Sequence, residues 1–177
     1  MFANIKRYFL RKYIKENRVT RQRQLASLKN ARSIGILCQI TNEDSYKKIY
    51  AVFSKLQNEH HNVRLVGYVN DNQVPFYCLP QLTCDFFCNK DLNWFGKPMM
   101  PQLHDFVKLD FDILIDFCYQ DNPAVESLIA LTKSKFIIGQ NPGTAQYYDL
   151  FINDTNKEYA HFLDSIYKYT SKLSGNE

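Results

Sequence analysis

From position 33 onward, short apolar runs alternate with stretches whose apolar residues recur every three or four positions. SIGILCQI (33–40) is a nearly unbroken Ile-rich run, the mark of a strand buried on both faces. Thr41 and Asn42 follow as cap candidates, and Glu43 and Asp44 fall where acids suit a helix dipole. Over 43–58, Tyr46, Ile49, Tyr50, Phe53 and Leu56 share one face, which predicts an amphipathic helix that NEHHN (58–62) ends. VRLVGYVN (63–70) reads as a second strand, and 71–81, with two prolines, as a loop. TCDFFCNK (83–90) is a shorter strand, 91–102 is made irregular by Gly96, Pro98 and Pro101, and a short helix occupies 102–108. FDILIDFC (111–118) is a strong strand; a helix over 123–133 opens on Pro123 behind Asp121 and Asn122. KFIIGQ (135–140) is the next strand, 140–146 a loop, and 148–153 a last strand or edge piece. Thr155 and Glu158 stand at capping-box spacing before a final helix carrying Tyr159, Phe162, Leu163, Ile166, Tyr169 and Leu173 inward.

Strands and helices alternating at this spacing predict an α/β fold: a single Rossmann-like three-layer domain with a mostly parallel sheet over 33–177. Ahead of it, 1–32 predicts a helical arm without Pro or Gly. At 100° per residue Phe2, Ile5, Phe9 and Tyr13 share one face, and Arg7, Arg11, Lys15 and Arg18 line up opposite. Leu10 and Ile14 fall between the two. Past Arg18, VTRQRQ continues the helix or serves as a connector, and Leu25 and Leu28 are expected near the start of the first strand.

Charge sharpens that boundary. The chain has 177 residues and a net charge of +4, unremarkable for a folded soluble protein. Residues 1–32 nevertheless hold ten Lys or Arg against the single acid Glu16, a net +9, while the other 145 residues carry a net −5. A basic arm on a mildly acidic body fits three kinds of site. RNA, or the ribosome, offers phosphates to Arg7, Arg11, Lys15, Arg18, Arg21 and Arg23. An anionic membrane surface takes an amphipathic helix with Phe2, Ile5, Phe9 and Tyr13 inserted. A transit peptide is also Arg-rich, but Ser27 is the arm's only serine, which weakens that reading. A helix that packs its Phe2–Tyr13 face on the body and leaves its charges in water is the structural alternative. With no secretory h-region and no apolar stretch of about 18 residues, a cytoplasmic location is expected, with attachment at the inner membrane surface as a variant.

The body offers little catalytic chemistry. In a doubly wound sheet ligands bind at the carboxyl ends of the strands, where Thr41, Asn42, Asn70, Asp71, Asp116, Gln120 and Asp121 fall. The turn after the first strand, CQITNED, has no glycine and two acids, so no dinucleotide cofactor is expected. DLNWFGKP (91–98) holds the only Trp and reads either as a recognition loop, with Asn93 and Trp94, or as an aromatic plug on the sheet edge. Asp116 is a ligand-facing carboxylate or a cap for nearby backbone. The five cysteines have no metal spacing and the histidines no evident partners, so free thiols, no metal and no cofactor are expected.

The segments DFFCNKDLNWFGKP, FDILIDFC, LIALTKSKFIIGQ and YYDLFI, with SIGIL after a basic segment, resemble a family of small uncharacterised bacterial proteins carrying a domain of unknown function, over roughly 30–170. That resemblance implies a bacterial cytoplasm and assigns no catalytic residue. More distantly, FDILIDFC, a helix and KSKFIIGQ are similar in layout to the amino-terminal half of heptosyltransferase-like glycosyltransferases. Those enzymes need a second half for the sugar nucleotide, and this chain has no room for it, so the similarity implies fold alone. The leading expectation is a non-enzymatic protein that meets RNA or the ribosome through its arm. The alternatives are a peripheral membrane protein and an enzyme with Asn42, Asn93, Trp94 and Asp116 in a pocket at the strand edge.

Overall fold

Strand β1 (Ser33–Ile40) anchors the architecture, because its side chains face two different layers. Ile34, Ile36, Cys38 and Ile40 join one buried cluster and Leu37 the other. The structure, a computed structural model, describes residues 2–59 and 62–173; His60, His61 and the side chain of Phe2 lie outside what it describes. β2 (Asn62–Val69) and β4 (Ile113–Asp116) flank β1, each parallel to it. β3 (Cys84–Cys88) extends the sheet beyond β2, and β5 (Phe136–Gly139) and β6 (Leu150–Phe151) extend it beyond β4. The six strands run in the order β3-β2-β1-β4-β5-β6, all parallel, with the order reversing between β1 and β4. That is the arrangement of a doubly wound fold.

Helices α2 (Glu43–Asn58) and α5 (Tyr159–Leu173) cover one face, burying Ile49, Phe53 and Leu56 against Phe162, Leu163 and Ile166. Helices α3 (Pro101–Lys108) and α4 (Pro123–Leu131) cover the other through Leu103, Phe106, Val125 and Leu128. Both ends of α2 fall where the periodicity puts them. Asn42 accepts from the Ser45 N–H at 2.8 Å, while Ser45 Oγ accepts from the Asn42 N–H at 3.1 Å, a reciprocal cap.

Three segments depart from the pattern. The strand expected over 111–118 is confined to Ile113–Asp116; before it the Asp112 side chain takes the N–H groups of Arg32 and Ser33 and pairs with Lys135, and after it the Asp116 side chain takes the Cys118 N–H. The last strand shrinks to two residues, and the Asp149 side chain just before it takes the Ile137 N–H at 2.8 Å. α5 begins at Tyr159, beyond the expected Thr155 cap, after Lys157 adopts φ 54°.

Helix α1 (Phe2–Asn17) lies on the outer side of α4, and the stripe it turns inward is not the expected one. Leu10 and Ile14 are buried with Ala130 of α4, while Phe9 is 38 % and Ile5 42 % exposed. Two apolar stripes compete on this helix, and the smaller aliphatic pair fits beside Ala130, with Tyr13, Phe95 and Tyr147 closing the edges. Leu28 and Ala31 enter the core before β1, whereas Leu25 stays exposed, contrary to expectation. Truncating Leu10 to Ala is expected to lower the unfolding free energy by about 2–4 kcal/mol. Lys12→Ala on the exposed side is expected to change it by less than about 0.5 kcal/mol. Denaturant titration followed by Trp94 emission checks both; equal effects would remove the docked helix from the cooperative fold.

Candidate functional site

Three of the polar residues at the carboxyl ends of the strands, Asn42, Asn70 and Asp116, are engaged locally. Asn42 is the N-cap of α2. Asn70 accepts from Tyr68 and from Asn89, each at 3.3 Å, tying β2 to the turn after β3. Asp116, fully buried at the end of β4, accepts from the Tyr148 hydroxyl at 2.6 Å and from the Cys118 N–H at 2.9 Å. Gly139 makes this possible: a β-carbon there would lie 2.2 Å from the Tyr148 ring, which crosses β5 to reach the carboxylate. Burial pushes the Asp116 carboxyl above its ordinary value, against the pull of its two donors. The neighbouring Cys118 thiol is pushed well up, first by burial and then by Asp116, and burial also drives Cys38 up. Cys78 and Cys84 rise to about 11 by burial. These shifts run opposite to what a thiolate nucleophile needs. Among the described residues no group of three His, Cys, Asp or Glu side chains could hold a metal ion.

The 92–98 turn sits elsewhere, against α1. Asn93 Oδ1 accepts from the Phe95 N–H at 3.1 Å and the Lys97 N–H at 2.9 Å, and Gly96 takes φ 92° to close the turn. Leu92 and Pro98 bridge its base. The turn presents Trp94 outward, 58 % exposed, with its ring 5.0 Å from Phe9 and 5.3 Å from Phe95. Asn42, the Asn93–Trp94 turn and Asp116 thus serve three separate local arrangements, and among the described hydrogen bonds and ring contacts the three share no partner. An apolar groove of about 360 Å³ between the end of α1, α3 and α4 is lined by none of these residues.

The five cations of α1 face water. Lys6, Arg7, Arg11, Lys12 and Lys15 are exposed, and so is Arg18 one residue beyond the helix. Arg7, Arg11, Lys15 and Arg18 form one row, which spans roughly 17 Å at helical rise. Lys12 lies 3.9 Å from Glu16, an exposed pair, and the Arg18 guanidinium lies 5.7 Å from the centre of the Tyr147 ring.

Arg21 does not belong to this surface, which corrects its assignment to phosphate contacts. Its side chain is only 6 % exposed and pairs with Asp149, itself 10 % exposed. Arg21 Nε donates to the Ser134 carbonyl at 2.8 Å and Nη2 to the Lys135 carbonyl at 3.1 Å. Arg23 remains exposed but lies 3.5 Å from the same carboxylate. Nothing in the local sequence sets Arg21 apart from Arg18 or Arg23; its partner lies 128 positions away. The sequence reading also passed over Tyr8, which is 63 % exposed with its ring 5.5 Å from Phe9.

A family model described as "Family of unknown function (DUF6913)" matches residues 6–173. The chain belongs to the DUF6913 family. The match runs from the first turns of α1 to the end of α5, so the basic helix and the sheet domain both lie within it. No curated protein and no solved structure matches this DUF6913 chain. No helix among its described residues is long and apolar enough to cross a membrane.

Two measurements check these assignments in the DUF6913 chain. Arg21→Ala leaves Asp149 buried without its guanidinium and is expected to destabilise the fold by about 3–5 kcal/mol. Arg11→Ala is expected to change stability by less than about 0.5 kcal/mol, and denaturant titration of both variants decides. Because the native Asp116 carboxyl holds its proton above the usual range near 3.8, its stabilising contribution is present below that range and is lost as pH rises through the native value. Asp116→Asn keeps the shape and removes the titration. The stability of that variant relative to the parent chain is expected to climb from about pH 4 to pH 7; a difference that stays flat or falls contradicts the assignment.

Proposed function

We propose that this chain is a non-enzymatic binding protein that holds RNA, free or in the ribosome, through helix α1. The observation that carries the reading is the exposed row Arg7, Arg11, Lys15 and Arg18 on a helix whose docking is fixed by Leu10 and Ile14. A polyanion met by cations at set spacing releases its counterions without first having to order the helix. Lys6 and Lys12 widen the row, and Glu16 is the only acid in the first 32 residues. Arg21 and Arg23 are left out of the contact surface, Arg21 because it is buried and Arg23 because Asp149 competes for it. On this reading the chain works in a bacterial cytoplasm and needs no cofactor.

A second reading, attachment to an anionic membrane surface, is favoured by one observation: Ile5, Tyr8 and Phe9 are exposed on the same helix. The strand-edge enzyme is not carried further, because Asn42, Asn93 and Asp116 already have local partners.

The test is fluorescence anisotropy of a labelled RNA at several salt concentrations, with the full chain and an Arg7→Ala/Arg11→Ala/Lys15→Ala variant. Binding is expected to weaken steeply with salt. Each lost phosphate contact is expected to reduce the slope of log K against log salt by about 0.7 for a single strand. A variant with the parent's affinity and slope would sink the reading. Flotation with anionic but not neutral vesicles, without RNA binding, would favour the membrane.

A further inference from the structure

The rings of Tyr8, Phe9 and Trp94 form a continuous aromatic surface that runs from Tyr8, at the edge of the cation row, round to Phe9 on the far side of α1. Phe9 lies 5.5 Å from Tyr8 and 5.0 Å from Trp94 between ring centres. Tyr8 and Trp94 are more than half exposed, at 63 % and 58 %. Beside the Phe9–Trp94 contact, α1 has its own apolar seat, Leu10 and Ile14 against Ala130 with the half-buried Tyr13 and Phe95 at its edge. On the helix, Lys6 and Lys12 stand three positions either side of Phe9, and Arg11 and Lys12 three and four positions after Tyr8. On the turn side, Lys97 Nζ sits 4.4 Å from the centre of the Tyr13 ring. Trp94 is also held in place: two backbone N–H groups close on Asn93, Gly96 adopts φ 92°, and the Leu92–Pro98 bridge pins the base of the turn.

We infer that the nucleic acid bound by α1 is single-stranded, its unpaired bases stacking on Trp94 and Tyr8 while the cations of α1 hold the backbone. The inference rests on the RNA reading and adds the class of RNA. Phosphates alone do not distinguish a single strand from a duplex, because both present them. Base faces do: a duplex hides them in its own stack, and a single strand offers them to any aromatic platform. Exposed rings interleaved with cations are the combination used by proteins that hold single strands without strict sequence preference. The charge of the patch supplies complementarity to the strand, and the fixed turn spares the complex the ordering of a loop.

Trp94 is the only tryptophan of the chain, so its emission reports directly on the proposed contact. The full chain is titrated with an oligoadenylate 12-mer, with an RNA duplex of the same length, and with vesicles containing phosphatidylglycerol. The single strand is expected to quench Trp94 and to bind at least about tenfold more tightly than the duplex. With a fluorescein-labelled strand, Trp94→Ala and Tyr8→Ala are each expected to weaken single-strand binding about tenfold and leave duplex binding unchanged. Trp94→Phe is expected to restore most of the loss. Equal affinity for strand and duplex, with both alanine variants unaffected, would overturn the stacking contact and leave the RNA reading standing. Failure to bind either RNA would overturn both. A blue shift of Trp94 on vesicles without quenching by RNA would also overturn both, in favour of the membrane.

Discussion

The buried pair of Arg21 and Asp149 determines where the amino-terminal arm of this chain can lie. The guanidinium crosses from the connector after α1 to the carbonyls of Ser134 and Lys135, at the entry to β5. Asp149 answers it while also accepting from Ile137 and donating its own N–H to the Ile137 carbonyl at 2.8 Å. One ion pair thus ties together the connector, β5 and the short β6. A buried pair of this kind contributes little net stability, since desolvation offsets attraction, but neither partner can be removed cheaply. It therefore acts as a positional constraint, and with Leu10 and Ile14 it fixes α1 against α4.

This constraint divides the basic residues into two physical classes that composition does not separate. Arg21 is desolvated and serves the fold. Arg7, Arg11 and Lys15 are hydrated, and a hydrated cation on a fixed helix is free to meet an anion. The sheet body shows a comparable division. Its polar groups at the strand ends mostly cap helices and turns, as Asn42 does for α2 and Asn93 for the turn carrying Trp94. The exposed cations of α1 thus lie on a layer added outside α4.

The sheet and most of its helices were readable because their signals are local. The Ile run of β1, the cap at Asn42 and the Pro at the start of α4 each act within a few residues of themselves, and those elements stand where the pattern puts them. The ends of β4 and the length of β6 were not readable, because the Asp112 and Asp149 side chains bond backbone and cationic groups distant in sequence. The inward face of α1 failed for a related reason. Periodicity finds two apolar stripes, and only the shape of α4 around Ala130 chooses between them. Of the candidate site, the row Arg7, Arg11, Lys15 and Arg18 follows from helical spacing alone, whereas the meeting of Trp94 with Phe9 and Tyr8 needs the tertiary fold.

The separation of Arg21 from its partner has a consequence for biogenesis. Asp149 is synthesised 128 residues after Arg21, and Ala130 of α4 also follows long after Leu10 and Ile14. Throughout most of translation, α1 has neither its apolar seat nor its ionic anchor. Docking of α1 therefore waits until α4 and the residues up to Asp149 have been made. A nascent chain released before β6 would carry its basic, aromatic-rich arm undocked.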